Sequence, residues 1–368
     1  METNKGIYSD LAIPPGEYLE EVLEELGMSK NELAKRMGRP ASKLSHIFKG
    51  EKAITPETAI QLENAVGVPA HVWIRLESQY RLTLARQADI ERLEQKNDEL
   101  SLERILITKF CYRKLVEIGE IEKHSKPHEK IQALRNYFGV TSLNSVMGLP
   151  RYQTAFRLGN AGGYSPEAVV AWLRLGERRA QKMACAPFDR NKLQGSLRDL
   201  RSMTLSTPED FEASLTDTLA ECGVVLVICP HFPKTKAHGA TFWIGPSKAV
   251  LMITIRGNWA DIFWFSLFHE IGHILLHDQS DVILENDIKG QKEEEANEFA
   301  ADVLIPPDEY AKFAKKERFY SSDINAFADD MGIAPGIVVG RLHHDGKLEH
   351  QFCNDLRILY KWAYHVNS

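Results

Sequence analysis

Residues 262–276 are the apolar stretch that most narrowly limits what this chain can fold into. They are too few to span a membrane, which takes about 18–20 apolar residues, so we expect a buried helix. Three ionisable residues interrupt the stretch, namely His269, Glu270 and His273. Burying such groups costs free energy unless they find partners. The stretch therefore predicts a buried helix whose ionisable side chains have specific partners.

The spacing of these three residues indicates a metal site. On a helix, residues i and i+4 share one face, so His269 and His273 can each give a ring nitrogen to one zinc ion at about 2.0–2.1 Å. Glu270 lies beside that face, where it can take a proton from an attacking water as a general base. The alternative is a pair of core histidines that bind no metal, since a lone buried histidine is more often a packed core residue than a metal ligand.

Catalytic zinc usually has three protein ligands, and a second helix can supply the third. The segment "QKEEEANEFAADVLIPPDEY" predicts a helix whose acidic start includes Glu293, Glu294 and Glu295. In a zincin arrangement, Glu293 is the third ligand and Asn297, one turn later, orients a ligand histidine. Glu295 is the alternative ligand. A solvated helix start, where the helix dipole favours acidic residues, is the competing interpretation.

Together, "FWFSLFHEIGHILLH" and "EEEANEFAADVLIP" resemble the ImmA/IrrE metallopeptidase family, over residues 207–342. The resemblance implies a zincin-like α+β domain, with members that include proteases cleaving repressor proteins. It makes His269, His273 and Glu293 the zinc ligands and Glu270 the general base. His277 also recurs in the family pattern, but it lies too far along the helix to join the same zinc, so we expect a structural role.

Three β-rich runs precede this helix. They are "GVVLVICP", "GATFWIG" and "AVLMITIR", separated by turns that contain glycine, proline and lysine. We expect them to form a small sheet, and an edge strand among them to pair with an extended substrate.

The N-terminal part has the pattern of a helix-turn-helix. Ser29 can cap a first helix that Gly38 ends, and 41–48 forms a second with Leu44 inward. A helix-packing module with a solvated basic face is the alternative. Between Met28 and Lys52, two acidic residues (Glu32, Glu51) stand against the seven basic residues Lys30, Lys35, Arg36, Arg39, Lys43, Lys49 and Lys52.

Residues 13–80 resemble the Cro/phage-repressor (XRE) type of helix-turn-helix, and HigA-like antitoxins in particular, through "MSKNELAKRMGRPASKLSHIFKGEKAITPETAIQLENAVGVPAHVWIRLE". The resemblance implies a dimer that binds double-stranded operator DNA. Lys43 and His46 would then face base edges, while Arg39, Ser42 and Lys49 contact phosphates. A glutamine common early in the second helix of such domains is missing here, which leaves the base contacts open.

After Tyr80 the chain predicts a long charged helix. Ile90, Leu93 and Asn97 begin a short, imperfect heptad. One interpretation is a dimerising coiled coil in which Asn97 sets the register. The other, which we favour, is an amphipathic linker helix packed on the next domain. The segment "NAGGYSP" then suggests a flexible piece, and any self-cleavage is expected near residues 162–165.

Composition and charge indicate where in the cell the protein is expected to act. The net charge is −6, no apolar leader is visible, and the five cysteines lack metal-type spacing, which fits free thiols in the cytoplasm. We therefore expect a mainly α protein with an α+β C-terminal domain: a lambda-repressor-like helix-turn-helix domain (1–85), a helical connector (86–206) and a zincin-like domain with a small sheet (207–368).

The expected function is that of a HigA-like transcriptional regulator, as a homodimer, carrying a zinc endopeptidase domain. Its partners would be operator DNA and a cognate toxin or cleaved repressor, without a membrane. The alternative is a non-catalytic antitoxin or repressor whose zincin-like domain only binds a partner or ligand.

Overall fold

A computed structural model describes residues 11–94, 98–152, 164–235, 238–254, 259–277, 283–284 and 290–360, with only the backbone of 98–101 and 283–284. The chain divides into two compact units, Met1–Leu100 and Ser101–Ser368. Within the described ranges, no helix is both long and apolar enough to cross a membrane.

The N-terminal unit is a bundle of helices. They are α1 (Pro15–Glu25), α2 (Lys30–Arg36), α3 (Ala41–Phe48), α4 (Pro56–Val66) and α5 (Ala70–Glu94). The core side chains are those that the amphipathic pattern turns inward, because each helix buries only one apolar stripe. The most deeply buried include Leu19, Leu33, Leu44, Leu62 and Trp73.

Local signals set the helix ends in this unit. The Ser29 hydroxyl accepts a hydrogen bond from the Glu32 backbone N–H at 3.1 Å and caps α2, as predicted. The Glu32 carboxylate pairs with Arg36 on the same helix. Thr55 caps α4 through the Thr58 N–H, with Pro56 in the first turn.

The predicted long helix after Tyr80 is interrupted at Cys111. Helix α5 ends at Glu94, α6 spans Asp98–Lys109 and α7 spans Tyr112–Glu117. The break before α7 falls at Cys111, whose φ of 54° is incompatible with a continuous α-helix. Asn97 lies outside the described residues, so its role in a coiled coil stays a prediction.

The region after α6 continues with α8 (Pro127–Phe138), two short 3₁₀ helices (Leu143–Gly148 and Pro150–Tyr152) and α9 (Pro166–Lys182). The buried Glu103 carboxylate binds Arg135 at 2.9 Å and the Leu143 N–H at 3.0 Å, which joins α6 to α8 and to the first 3₁₀ helix. For α6, this packing favours the linker interpretation over the coiled coil.

Residues 101–206, interpreted from sequence as a connector, belong to the same compact unit as the residues that follow. Helix α9 lies directly on the sheet: a Cβ added to Gly176 would come within 2.0 Å of the Met252 sulfur. The junction of the two compact units falls after Leu100, and the domain boundaries expected at residues 85 and 206 stay a prediction.

The three predicted strands form the sheet, with a short fourth strand. They are β1 (Val224–Cys229), β2 (Gly239–Trp243), β3 (Ala249–Thr254) and β4 (Ile283–Leu284), in the order β1-β3-β2-β4. Strands β1 and β3 are parallel, whereas β2 runs antiparallel to both β3 and β4. Helix α9 covers one face of the sheet, and a larger apolar core covers the other.

That larger core centres on α12 (Ala260–Leu276), the predicted apolar helix, which packs against α13 (Gln291–Leu304). The remaining elements enclose this pair: α10 (Arg190–Ser202), a 3₁₀ turn (Met203–Leu205), α11 (Pro208–Glu221), α14 (Pro307–Phe313), α15 (Ser321–Met331), α16 (Pro335–His344) and a 3₁₀ turn (Asn354–Leu356). The expected class, mainly α with an α+β C-terminal part, is confirmed.

Candidate metal centre and nucleic-acid interface

Helix α12 is buried over almost its whole length, polar residues included. His269, Glu270 and His273 are 1%, 0% and 2% exposed. The apolar side chains around them, such as Trp264 and Phe268, belong to the core that packs the helix against the sheet. Because buried polar groups are costly without partners, these three side chains need partners from neighbouring elements.

Three potential ligand atoms converge beside α12. The Nε2 atoms of His269 and His273 are 2.9 Å apart, and the Glu293 carboxylate oxygens lie 3.3 Å from the first and 3.5 Å from the second. Two imidazole nitrogens and one carboxylate within 4.8 Å of one another can hold a metal ion. The structure thus brings together the two histidines of α12 and the first glutamate of α13.

Close packing of the two helices allows this approach. A Cβ added to Gly272 would come within 3.0 Å of the Phe299 ring and 3.3 Å of the Ala296 Cα, so a larger residue would push α13 away. Gly272 lies between the two histidines in the sequence. A small residue on each helix therefore sets how near Glu293 comes to the imidazoles.

The second nitrogen of each histidine also has a partner. His269 Nδ1 lies 2.8 Å from Asn297 Oδ1, the contact expected of an orienting residue. His273 Nδ1 lies 2.9 Å from His277 Nδ1, and His277 Nε2 lies 3.0 Å from the Glu295 carboxylate. The contact between Glu295 and His277 was not predicted from the sequence, which has Glu293 as the third ligand and Glu295 as the alternative.

Burial and neighbours shift the pKa values of this cluster. Burial opposes ionisation of Glu293, but hydrogen bonds with His269 and His273 outweigh it and lower the pKa of Glu293 to about 2. For His273, burial has the larger effect and lowers its pKa, against the opposing influence of Glu293. Both shifts favour neutral imidazole beside ionised carboxylate, which are the protonation states that bind a metal.

The surroundings of Glu270 come from strand β2, and the sequence analysis missed them. The Thr241 hydroxyl donates to Glu270 Oε2 at 2.5 Å. A Cβ added to Gly239 would come within 2.3 Å of Glu270 Oε1, so only glycine leaves room for this carboxylate. A glycine at the start of a β-rich run was the available signal, because glycine in a strand often marks a close approach.

The edge of β2 beside Glu270 is paired. Ala240 and Thr241 face Leu284 and Ile283 of β4 in an antiparallel register. The expectation that an extended substrate joins a free strand edge here is therefore not met by β2. Strand β4 was not predicted, since two residues are too few for a periodic pattern.

In the N-terminal unit, α3 turns its apolar residues inward and its polar residues to solvent. Leu44, Ile47 and Phe48 are buried, as the pattern predicts. Of the five residues predicted to contact DNA, Arg39 is half-buried and the other four, Ser42, Lys43, His46 and Lys49, are exposed. The five lie on or next to α3.

One acidic residue lies on this same surface. Glu51 approaches His46, with 2.6 Å between a carboxylate oxygen and Nδ1, and this hydrogen bond lowers the pKa of Glu51. The turn at Gly50 brings Glu51 back, because the N–H groups of both Glu51 and Lys52 donate to the His46 carbonyl. A predicted base-contacting residue thus has a carboxylate partner that sequence reasoning did not assign.

Comparison with known proteins gives two family matches. Residues 221–343 match the IrrE N-terminal-like domain of peptidase family M78, and residues 19–73 match a helix-turn-helix family. The first region contains α12 and α13, and the second contains α2 and α3.

Similar proteins were found for the N-terminal part. The HTH-type transcriptional regulator YddM of Escherichia coli (strain K12) is 35% identical over 80 residues, 22% of this chain and 85% of that protein. Virulence-associated protein I of Dichelobacter nodosus is 36% identical over 77 residues, 21% of this chain and 71% of that protein.

Among solved structures, the antitoxin HigA of Pseudomonas aeruginosa with the higBA promoter is 29% identical, covering 24% of this chain and 97% of that chain, with a TM-score of 0.22. An addiction module antidote protein of the HigA family from Coxiella burnetii is 31% identical, covering 24% and 96%, with a TM-score of 0.21.

The two resemblances identified from the sequence are confirmed by these matches. The chain belongs to the helix-turn-helix transcriptional regulators through its N-terminal part, and it carries an IrrE N-terminal-like domain of the M78 peptidase type in its C-terminal part.

Proposed function

We propose that this protein is a DNA-binding transcriptional regulator whose C-terminal unit is a zinc metallo-endopeptidase. His269, His273 and Glu293 hold the zinc, Asn297 orients His269, and Glu270 is the general base. The observation that carries the proposal is the convergence of two buried imidazole nitrogens and one carboxylate on a common point.

The distances between these atoms fit zinc. Ligands at about 2.0–2.1 Å in a tetrahedral arrangement are about 3.3–3.4 Å from one another. The two separations between histidine and Glu293 are 3.3 and 3.5 Å, while that between the imidazole nitrogens is 2.9 Å and needs a small outward movement. Three protein ligands leave a fourth position for water or substrate, as a catalytic site requires.

The chain's own residues supply the proton transfers. When bound, zinc polarises the scissile carbonyl and makes water a stronger nucleophile at neutral pH. Glu270 takes the proton of the attacking water and passes it to the leaving amine. The Thr241 hydroxyl holds one carboxylate oxygen of Glu270, and Gly239 leaves room for the other.

The N-terminal unit directs the protein to operator DNA as a homodimer. Lys43 and His46 contact base edges in the major groove, whereas Arg39, Ser42 and Lys49 contact phosphates. The exposure of Lys43, His46 and Lys49 and the burial of the apolar side of α3 support this arrangement. Its protein partner is a cognate toxin or a repressor protein that the peptidase unit cleaves.

A second candidate function has an observation in its favour. Strand β4 pairs with β2 beside Glu270, so an extended peptide does not meet a free β2 edge there. A C-terminal unit that binds a partner or ligand without cleaving it agrees with that pairing. In this case the protein is a non-catalytic antitoxin or repressor.

Metal analysis of the purified full chain tests the metal centre. We expect about one zinc per chain in the wild type and in Glu270→Gln, because the general base is outside the ligand set. His269→Ala and His273→Ala should each lose it. Full zinc content in both histidine variants would remove the assignment.

Cleavage separates the two candidate functions. Mass spectrometry of the zinc-loaded chain after long incubation should detect fragments that are absent from Glu270→Gln. The site expected near residues 162–165 lies partly outside the described residues, and Ser165 caps α9 while its N–H donates to the Lys234 carbonyl. Fragments that persist in Glu270→Gln indicate a contaminating protease, and an intact chain with an intact partner favours binding alone.

A further inference from the structure

A third histidine, His277, lies at the end of α12 and contacts His273. His277 follows the helix as its C-terminal cap, and its backbone N–H donates to the His273 carbonyl at 3.2 Å. Its imidazole side chain is only 4% exposed and lies against that of His273, with 2.9 Å between the two Nδ1 atoms. The two rings are thus in hydrogen-bond contact through their Nδ1 atoms.

Chemistry decides the direction of this hydrogen bond once His273 is a ligand. A neutral imidazole has one protonated nitrogen and one acceptor nitrogen. If His273 gives Nε2 to a metal, its proton is on Nδ1, so this N–H donates and His277 Nδ1 accepts. The proton of His277 is then on Nε2, which lies 3.0 Å from a Glu295 oxygen.

Glu295 is the last acceptor in the hydrogen-bond chain that begins at His273. An ionised carboxylate only accepts hydrogen bonds, so it requires the proton of His277 to be on Nε2. Its other oxygen accepts from the Gln291 side-chain amide at 2.8 Å, which holds the carboxylate in place. The order His273, His277, Glu295 is therefore consistent with one set of proton positions.

The two ligand histidines differ in their support. His269 contacts the Asn297 amide oxygen directly. His273 contacts the imidazole of His277, which in turn contacts the carboxylate of Glu295, a side chain that is 42% exposed. In His277 itself both ring nitrogens have these partners, so it is not available as a further ligand in this arrangement.

We infer that His277, held by Glu295, is a positioning residue that keeps His273 in the tautomer and ring orientation that bind the metal. The inference rests on the proposed zinc site and adds two residues to it. Outer residues of this kind change metal affinity by about 10–100-fold when removed.

The test is the zinc affinity of the full chain, measured by competition with a chelator, together with the Co²⁺ absorption spectrum. His277→Phe keeps a ring but removes the acceptor, and should weaken zinc binding by roughly 10–100-fold. His277→Gln keeps one acceptor and one donor, and should restore affinity to within about threefold of the wild type.

Two glutamate variants separate hydrogen bonding from charge. Glu295→Gln should weaken zinc binding several-fold, because an amide side chain no longer requires the His277 proton on Nε2. Glu294→Gln removes the same charge from the neighbouring exposed position of α13 and should leave the affinity unchanged. Equal losses in both would assign the effect to charge and overturn the positioning role.

Further outcomes distinguish this inference from the metal site itself. Unchanged affinity and Co²⁺ spectrum in His277→Phe, with only a lower melting temperature of the metal-free chain, would show that His277 merely joins α12 to α13 and would overturn the inference alone. A wild-type chain that takes up no zinc would overturn the proposed metal centre and the inference together.

Discussion

Helices α12 and α3 both carry histidines assigned to function, but their surroundings are opposite. On α12, the side chain of His273 is fully buried, and its two nitrogens face groups from α13 and from the end of its own helix. On α3, the side chain of His46 is 60% exposed, and its partner Glu51 comes from the next turn of the chain. One site is enclosed by tertiary packing, whereas the other is a surface.

The difference concerns how far each site depends on distant residues. The candidate metal centre and Glu270 require close packing of α13 and β2 against α12, which Gly272 and Gly239 permit. The surface of α3 requires only that its apolar residues stay buried. Substitutions around α12 should therefore affect metal binding and stability, while those on α3 should affect DNA binding without unfolding the unit.

The largest effect is expected at the third ligand. Glu293→Ala should weaken zinc binding by more than the roughly 10–100-fold typical of outer residues, because it removes an atom of the ligand set. Glu294→Ala, the neighbouring exposed position, should change zinc affinity by less than about twofold, since the helix directs only one of the two at the metal. Zinc titration of the full chain measures the affinity of each variant. A larger loss of zinc affinity in Glu295→Ala than in Glu293→Ala would make Glu295 the third ligand instead.

A steric test of the enclosed site comes next. Gly239→Ala places a methyl group against the Glu270 carboxylate and should lower the free energy of unfolding by about 1–3 kcal/mol. Gly195→Ala is the matched control, because Gly195 has open space on a helix and alanine there should stabilise by up to ~1 kcal/mol. Denaturant unfolding of the two variants should give opposite signs, and equal stability would contradict the close approach of β2 to Glu270.

The effects on the α3 surface should be smaller for folding and should appear in DNA binding. Lys43→Ala and His46→Ala should each reduce the preference for operator over random DNA by about 1–3 kcal/mol. Lys49→Ala should weaken binding to operator DNA and to random DNA alike. It should also reduce the slope of log K against log salt concentration by about 1. Titrations at several salt concentrations measure this, and equal losses without a change in preference would show that α3 does not read the bases.

Local patterns were enough to predict much of this protein. The apolar run with His269 and His273 four residues apart requires only helical geometry to place both on one face. The cap at Ser29 and the three β-rich runs likewise depend on neighbours in sequence, and the structure has them as expected. The packing of residues 101–206 was less predictable, because they join the second unit through contacts distant in sequence, such as that of Gly176 with Met252.

The period of the residues is sufficient to predict the helix that carries His269 and His273 and the amphipathic helix α3. The pattern favours Glu293 over Glu295 as the glutamate that faces the histidines, but its actual approach depends on tertiary packing. The enclosure of Glu270 by Thr241 and Gly239 has no counterpart in the local pattern and arises from that packing. Glu293 and Glu295 have the same side chain and differ only in the direction in which each leaves the helix. That direction acquires meaning when α13 packs against α12 at Gly272.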